Sequence, residues 1–274
     1  MSNNKEIDDG TIGTPSYLAT IHHHPRDEHI SFEAGPHIYT VCGSRGEYTS
    51  VTTWNHQHFS HFDAEKTITN MMKGKNWNIN NKYYGMTPEQ IKELWNSSGV
   101  AASSAGTKLH DDIEKHYNGL NIQNDSIEYE YFLQFEKDFP ELKPYRTEWM
   151  VYYEELKISG SIDMVFENPD GTIQIYDWKR VKEIKHEVEF GKYALTPCIS
   201  HLPDTNFWHY ALQLNVYKTI LEHKYGKKVT GLYLVCLHPD NKYKTYDRIN
   251  VPFLDTELED LLKLRLTQIN DKNK

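Results

Sequence analysis

Two short strands joined by a tight turn, residues 158–180, constrain the fold of this chain more than any other segment. The turn reads Asn168-Pro169-Asp170-Gly171, in which proline presets φ and glycine supplies a positive φ. The flanks ISGSIDMVFE and TIQIYDWK are rich in β-branched and aromatic residues, which is typical of inner strands. The segment therefore predicts a β-hairpin inside an α/β core.

The register of this hairpin brings charged side chains together. A three-residue turn closed by Asn168 and Thr172 places Asp163 directly across from Asp177. Like charges at that spacing repel unless a cation compensates them. Lys179 follows on the same strand face as Asp177 because side chains alternate. The trio predicts a site where a divalent cation meets a phosphate group. The alternative, an exposed face with a simple counter-ion, fits the apolar flanks less well.

The length, composition and charge of the chain bear on this prediction. A chain of 274 residues with 38% hydrophobic content suits one large domain. The net charge of −9 counts mildly against nucleic-acid binding, since lysine and arginine supply its sequence-independent part. Basic clusters at residues 179–185 and 224–228 soften that argument, because binding footprints are local.

The cysteines and the apolar segments indicate where the protein works. Cys42, Cys198 and Cys236 are widely spaced and form no CxxC pair, which gives no support to a zinc site, a four-cysteine cluster or a disulfide framework. Neither a signal peptide nor an 18-residue apolar run is visible. We expect a soluble intracellular protein, cytoplasmic or nuclear.

Hydrophobic periodicity divides the chain into a flexible leader, residues 1–30, and a single domain, residues 31–274. Within the domain we expect a hairpin and helical elaboration over residues 31–99 and a catalytic core over residues 100–274. The periodicity predicts these elements: helices 63–73, 87–118 (continuous or broken near 97–99), 127–138, 207–225 and 256–270, and strands 146–153, 229–237 and 242–251. This order predicts an α/β fold with a mixed central sheet flanked by helices.

A histidine on one predicted helix is a candidate ligand. Gly106, His110 and Glu114 recur at i, i+4 and i+8 and therefore share a helix face, where glycine would permit close backbone approach. A lone helical histidine is more often packed or exposed than metal-bound. Because the chain also contains the carboxylate hairpin, metal binding by His110 and a purely structural role for it become equal alternatives. Imidazole with carboxylates suits Mn²⁺ as well as Mg²⁺.

Gln213 and Tyr217 form a second i, i+4 pair on a later helix. The glutamine can donate to a phosphate or orient a lysine, and the tyrosine can hold a phosphate or a base. Alone, this pair is typical of solvated surface. Its position after the hairpin gives it weight.

In this order the four patterns resemble the RecB-like branch of the PD-(D/E)XK nuclease superfamily. They span roughly residues 100–240 as Gly106 to His110, Gly160 to Asp163, Asp177 to Lys179, and Gln213 to Tyr217. The chain is most similar to stand-alone exonucleases of mitochondrial genome maintenance, phages and large DNA viruses.

The resemblance implies a restriction-endonuclease-like core and assigns roles to individual residues. It implies a catalytic Lys179, and Gln213 and Tyr217 positioning the DNA. Four groups would bind one or two Mg²⁺ or Mn²⁺ ions: His110, Asp163, Asp177 and the Trp178 carbonyl. Glu114 and Glu148 are candidates for a second ion or for orienting His110, and a structural ion pair is an equal alternative for Glu148.

The implied activity is metal-dependent exonucleolytic hydrolysis of single-stranded DNA ends in replication, recombination or repair. A helical arch would carry aromatic residues that stack unpaired bases or simply pack a core: Trp77, Tyr83, Tyr84 and Trp95. Two alternatives remain. One is a metal-dependent endonuclease or endoribonuclease, since the 2′-OH leaves no motif. The other is an inert nucleic-acid-binding module, which would not need the complete set of His110, Asp163, Asp177 and Lys179.

Overall fold

The structure, a computed structural model, describes residues 12–188 and 191–272. Two sheets organise these residues. A small antiparallel sheet contains β1 (Ile30–Glu33), β2 (Ile38–Val41) and β3 (Ser44–Arg45). The central sheet has six strands: β4 (Thr49–Ser50), β5 (Lys143–Tyr153), β6 (Ile158–Glu167), β7 (Ile173–Lys179), β8 (Val229–Cys236) and β9 (Asp247–Asn250).

The central sheet is mixed and is flanked by helices. Its order is β4-β6-β7-β8-β9, with β5 paired to the other edge of β6. The β4–β6 and β7–β8 pairs are parallel and the other pairs antiparallel. The described helices are α1 (Tyr17–Ile21), α2 (Val51–His56), α3 (Ala64–Lys73), α4 (Pro88–Tyr117), α5 (Ile127–Asp138), α6 (Asn206–Lys224) and α7 (Asp255–Lys272). The predicted mixed α/β class is confirmed.

Apolar side chains cover both faces of the central sheet. On one face, α2, α6 and α7 bury a large cluster that includes Ile175 of β7. On the other, α4 and α5 bury a second cluster around Tyr176 and Trp178. Consecutive residues of β7 therefore point into opposite cores, as the strand period requires. The end of β7 is held from both sides.

The β6–β7 hairpin has the predicted register. Asn168 N donates to the Thr172 carbonyl at 2.8 Å, and Gly171 takes the positive φ of 79° that the turn requires. The ladder ends at the pair Met164–Tyr176. Asp163 and Asp177 occupy the next position, where the strands separate.

Some predictions of elements are met and others are not. α4 runs unbroken past Gly99, one of the two predicted alternatives, and Thr87 and Gln90 form a capping box at its start. β9 is shorter than predicted. Gly106 has no atom within 4 Å of an added Cβ, so the expected close backbone approach there is wrong.

The predicted flexible leader is only partly described, because residues 1–11 lie outside the described residues. Residues 12–30 do not match that expectation. They form α1 and a 3₁₀ helix, Pro25–His29, that packs on β5. Asp27 accepts from the buried Arg146 guanidinium at 2.6 Å and from Trp149 Nε1 at 2.9 Å. A buried guanidinium requires such a partner, which fixes this segment.

Within the described residues, none of the helices is both long enough and apolar enough to span a bilayer.

Candidate metal centre

Three elements bring potential metal ligands together where β6 and β7 separate. His110 comes from α4, Glu148 from β5 and Asp163 from β6. His110 Nδ1 lies 3.5 Å from Asp163 Oδ2 and 3.8 Å from Glu148 Oε1. One ligand atom from each residue lies within 4.8 Å of the others, a spread that one oxygen-preferring cation with bonds of about 2.0–2.6 Å can bridge.

The imidazole of His110 is oriented by the backbone of β7. Its Nε2 donates to the Trp178 carbonyl at 2.9 Å, which turns Nδ1 toward the two carboxylates. Leu109 and Ile113 hold this part of α4 in the aromatic core that also contains Trp178. The same packing therefore positions the predicted histidine and the predicted carbonyl side by side.

Asp163 ties the two diverging strands together. Its Oδ2 accepts from Trp178 N at 3.0 Å, a bond that replaces the missing ladder step. The same oxygen faces His110 Nδ1. One carboxylate oxygen thus shapes the end of the hairpin and contributes to the ligand group.

Glu148 has an unusual backbone for a strand residue. Its φ is +41°, a sparsely populated region for a non-glycine residue, in the middle of β5. The pairs on either side, Thr147–Met164 and Trp149–Ile162, place it opposite Asp163. Ser161 donates to Glu148 Oε2 at 2.9 Å. Among the described residues its one oppositely charged neighbour within 4 Å is His110, so a pair with lysine or arginine does not explain it.

Asp177 and Lys179 form a buried ion pair next to this group. Lys179 Nζ lies 2.6 Å from Asp177 Oδ2, a contact that lacks the alignment of a good hydrogen bond. Asp177 is 2% exposed, and the ammonium also lies 4.6 Å from the centre of the Tyr210 ring. In this structure Asp177 therefore contacts the lysine and does not join the three-residue group.

The electrostatics show an excess of buried negative charge. Burial, with Asp163 nearby, outweighs Lys179 and raises the pKa of Asp177 to about 7. Burial also raises the pKa of Asp163. Burial alone would lower the pKa of His110, but Asp163 and Glu148 raise it to about 9. A bound cation would stabilise the charged form of carboxylates whose pKa burial has raised, so the residues fit the implied metal.

Glu114 lies one helical turn beyond His110 and lines the same pocket. Burial and the nearby Glu148 raise its pKa to about 7. It stands outside the three-residue group. A role for Glu114 at a second ion stays a prediction.

The packing of Tyr217 on Gly160 accounts for one residue in each of two sequence patterns, Gly160 to Asp163 and Gln213 to Tyr217. Tyr217 is 3% exposed and packs on Gly160, where an added Cβ would lie 2.8 Å from the tyrosine Cε1 and 2.9 Å from its hydroxyl. Only glycine leaves room for this ring. Gln213, half-buried one turn earlier, lines the pocket with Tyr217. DNA contact by the pair stays a prediction.

Sequence reasoning missed one wall of the pocket. Its volume is about 660 Å³, and the small sheet contributes Ser31, Phe32, His37 and Tyr39. These residues precede His110 by about 70 to 80 positions and carry no metal-ligand pattern. Glu148 had a weaker signal, as an acid on the strand next to the predicted hairpin.

Comparisons with known proteins add little. No protein-family model matches the chain, and no curated protein matches it. A solved structure that resembles it is that of a "Putative exonuclease" from Eubacterium rectale. That match has 16% sequence identity, covers 82% of this chain and 79% of the other, and has a TM-score of 0.38. So low a TM-score says nothing about what this chain does.

Proposed function

We propose that the protein is a Mg²⁺- or Mn²⁺-dependent deoxyribonuclease of the RecB-like PD-(D/E)XK type. It hydrolyses phosphodiester bonds as an exonuclease on single-stranded DNA ends, in replication, recombination or repair. The observation that carries the proposal is the meeting of His110, Glu148 and Asp163 beside the Asp177–Lys179 pair. Nitrogen and carboxylate ligands next to a lysine suit a cation that binds phosphate.

The residues divide into ligands and a charge donor. His110, Glu148 and Asp163 would hold the cation, and Asp177 would join them from the side of Lys179. The Trp178 carbonyl, the further ligand that the resemblance implies, accepts from His110 Nε2 in this structure, so binding the same cation would require it to leave that bond. When bound, the cation polarises a phosphoryl oxygen and lowers the pKa of a bound water. Asp177 and Asp163 outweigh burial and keep the pKa of Lys179 above its usual value, so its ammonium stays charged. Lys179 orients the attacking water or stabilises charge that develops on the phosphate.

The composition of a helical arm supports the proposal that the substrate is a nucleic acid. The arm consists of α3, the following connection and the exposed first half of α4, residues 64–104. Between Lys66 and Glu89 the chain contains Lys73, Lys75 and Lys82 and no aspartate or glutamate, although its net charge is −9. These three lysines are exposed, and Tyr84 is 52% exposed. Lysines with accessible aromatic rings suit a single strand.

The test uses purified protein and linear single-stranded DNA labelled at either end, with Mg²⁺, Mn²⁺ or EDTA. Asp177→Ala serves as the inactive comparison, and circular single-stranded DNA and RNA test end dependence and sugar preference. Metal-dependent shortening of linear DNA by the wild type alone supports the proposal. Cleavage of circular DNA or RNA indicates an endonuclease or ribonuclease. No cleavage of any substrate indicates a binding module.

A further inference from the structure

The small sheet adds an aromatic surface to the metal pocket. Phe32 of β1, His37 in the turn before β2 and Tyr39 of β2 line the same 660 Å³ pocket as His110, Glu148 and Asp163. None of the three rings belongs to the ligand group. We call Phe32, His37 and Tyr39 the hairpin wall.

The rings of the hairpin wall support one another. The Phe32 ring lies 4.6 Å from that of Tyr39 and 4.9 Å, edge to face, from that of His37. Tyr39 is buried in a cluster with Ile30 and Val41, and Phe32 packs against this cluster. Phe32 itself is only half-buried and His37 is exposed. Aromatic surface therefore remains available toward the pocket.

The backbone conformation of His37 also sets this residue apart. His37 has a φ of +56° at the end of the turn between β1 and β2. Histidine is among the residues that tolerate such a φ better than most, but glycine or asparagine is the usual choice for it. Because His37 is exposed, core packing does not account for an imidazole here.

A short chain of contacts joins the wall to the ligands. Phe32 and Met150 both pack against the cluster that contains Tyr39. Met150 pairs with Ser161, whose hydroxyl donates to Glu148. The aromatic surface therefore lies in the same pocket as the carboxylates. A nucleotide whose phosphate binds at the carboxylates would have its base within reach of these rings.

We propose that Phe32 stacks on one unpaired base of the nucleic-acid strand next to the scissile phosphate, and that His37, whose ring is perpendicular to that of Phe32, contacts the edge of the same base. The inference rests on the proposed nuclease function and adds a base subsite to it. Phe and His rings commonly stack on splayed-out bases, and stacking tolerates any base because each has a π-face. A base inside a duplex is already stacked, so this subsite selects unpaired ends.

The experiment measures coupling between the wall and one base. Linear single-stranded 20-mer DNAs carry one abasic site, moved through the positions near each end, and kcat/KM is measured for wild type, Phe32→Leu and His37→Asn. Leucine keeps apolar packing without a π-face, and asparagine tolerates the positive φ. Melting temperature and Mn²⁺ binding establish that each variant is folded and retains its cation. Phe253→Leu, which changes an exposed phenylalanine outside this pocket, is the matched control.

We expect one abasic position to lower wild-type kcat/KM about tenfold, and Phe32→Leu to lower it similarly on intact DNA. His37→Asn gives a smaller loss at the same position. The abasic site then costs Phe32→Leu little more, because both changes remove the same contact. Phe32→Trp restores activity, and Phe253→Leu behaves as wild type.

Two failures are distinguishable. If wild type cleaves intact DNA but the two losses multiply at every position, or Phe32→Leu equals wild type, the subsite is refuted and the nuclease stands. If wild type cleaves no substrate with either metal, the proposed function fails and the subsite fails with it.

Discussion

The two walls of the candidate metal pocket are held in different ways. The sheet wall consists of Asp163, which lines the pocket, and the adjoining Asp177 and Lys179, and it lies on β6 and β7 between the two large apolar clusters of the domain. The hairpin wall is supported by one small cluster: Ile30, Tyr39, Val41, Tyr48 and Tyr152. Moving a sheet-wall charge requires repacking both large clusters, whereas a hairpin-wall ring can change without disturbing them.

This difference separates two properties of the site. Groups that stabilise charge act best when they are fixed in advance, which the buried sheet wall provides. Groups that select a substrate only need to present a suitable surface, which the hairpin wall provides. We therefore expect changes in the sheet wall to alter the rate most, and changes elsewhere to alter metal binding, substrate choice or stability.

The largest effect should come from the ammonium of the sheet wall. Lys179→Met keeps the aliphatic stem but removes the charge, and it should lower kcat by at least about 10²–10³-fold, as loss of one preorganised charge-stabilising group does. Single-turnover cleavage of labelled DNA measures this. Metal-dependent DNA binding should persist, because the ligand group is unchanged.

Removing Lys179 leaves Asp177 buried without its partner, so a melting curve must accompany the assay. Lys263→Met, an exposed change in α7, is the control for surface charge. A folded Lys179→Met protein with full activity would overturn the mechanism.

The next largest effect should come from Glu148, where the two walls meet. Glu148→Gln keeps the size of the side chain but removes a charged ligand, so Mn²⁺ affinity should fall about 10–100-fold. Titration calorimetry with the metal alone measures it without relying on cleavage. Glu130→Gln, on the exposed face of α5, should leave affinity unchanged. Unchanged affinity in Glu148→Gln would mean that the strained residue serves only to shape β5.

Two glycines compare the packing of β6, which carries Asp163 of the sheet wall, with that of α4. Gly160→Ala forces a methyl group into the Tyr217 ring and should lower the free energy of unfolding by about 1–3 kcal/mol. Gly106→Ala meets nothing within 4 Å inside α4 and should raise it by about 0.5–1 kcal/mol. Urea denaturation compares the two. Equal effects would contradict the packing assigned to Gly160.

The smallest effect concerns His58, buried away from both walls. Burial, with Arg265 adding to it, lowers the pKa of His58 to about 4. Because the unfolded chain then binds the proton more readily, stability falls as pH drops below about 6.5, and is lost progressively down to about 4. Between pH 7 and 5 this amounts to at most about 2 kcal/mol. His58→Gln should show a shallower pH dependence of unfolding, and an unchanged dependence would contradict a neutral buried His58.

Local patterns predicted the sheet wall well, since turn chemistry and strand alternation act over a few residues. Asn168 and Gly171 fixed the hairpin, and its register placed Asp163 and Asp177 at the point where the strands part. The helix of His110 was predicted from hydrophobic periodicity. His110 and the Trp178 carbonyl lie within hydrogen-bonding distance of each other, and the metal-binding role that the resemblance implied for both stays a prediction.

The rest depends on contacts between distant parts of the chain. Glu148 has a positive φ that no local sequence pattern predicts, and its side chain lies near that of His110. Phe32 and His37 look like ordinary hairpin residues until the small sheet packs on β5 through Tyr152. Arg146 recruits Asp27 from more than a hundred residues away, so the first segment looked flexible when read alone.

The length of α4 has a mechanical consequence. At 1.5 Å per residue, its 30 residues form a continuous rod about 45 Å long. The outer half projects into the arm, and the inner half carries His110 between the packed residues Leu109 and Ile113. One continuous helix therefore joins the exposed arm to the buried segment that carries His110, so we expect a force on the arm to reach the imidazole directly.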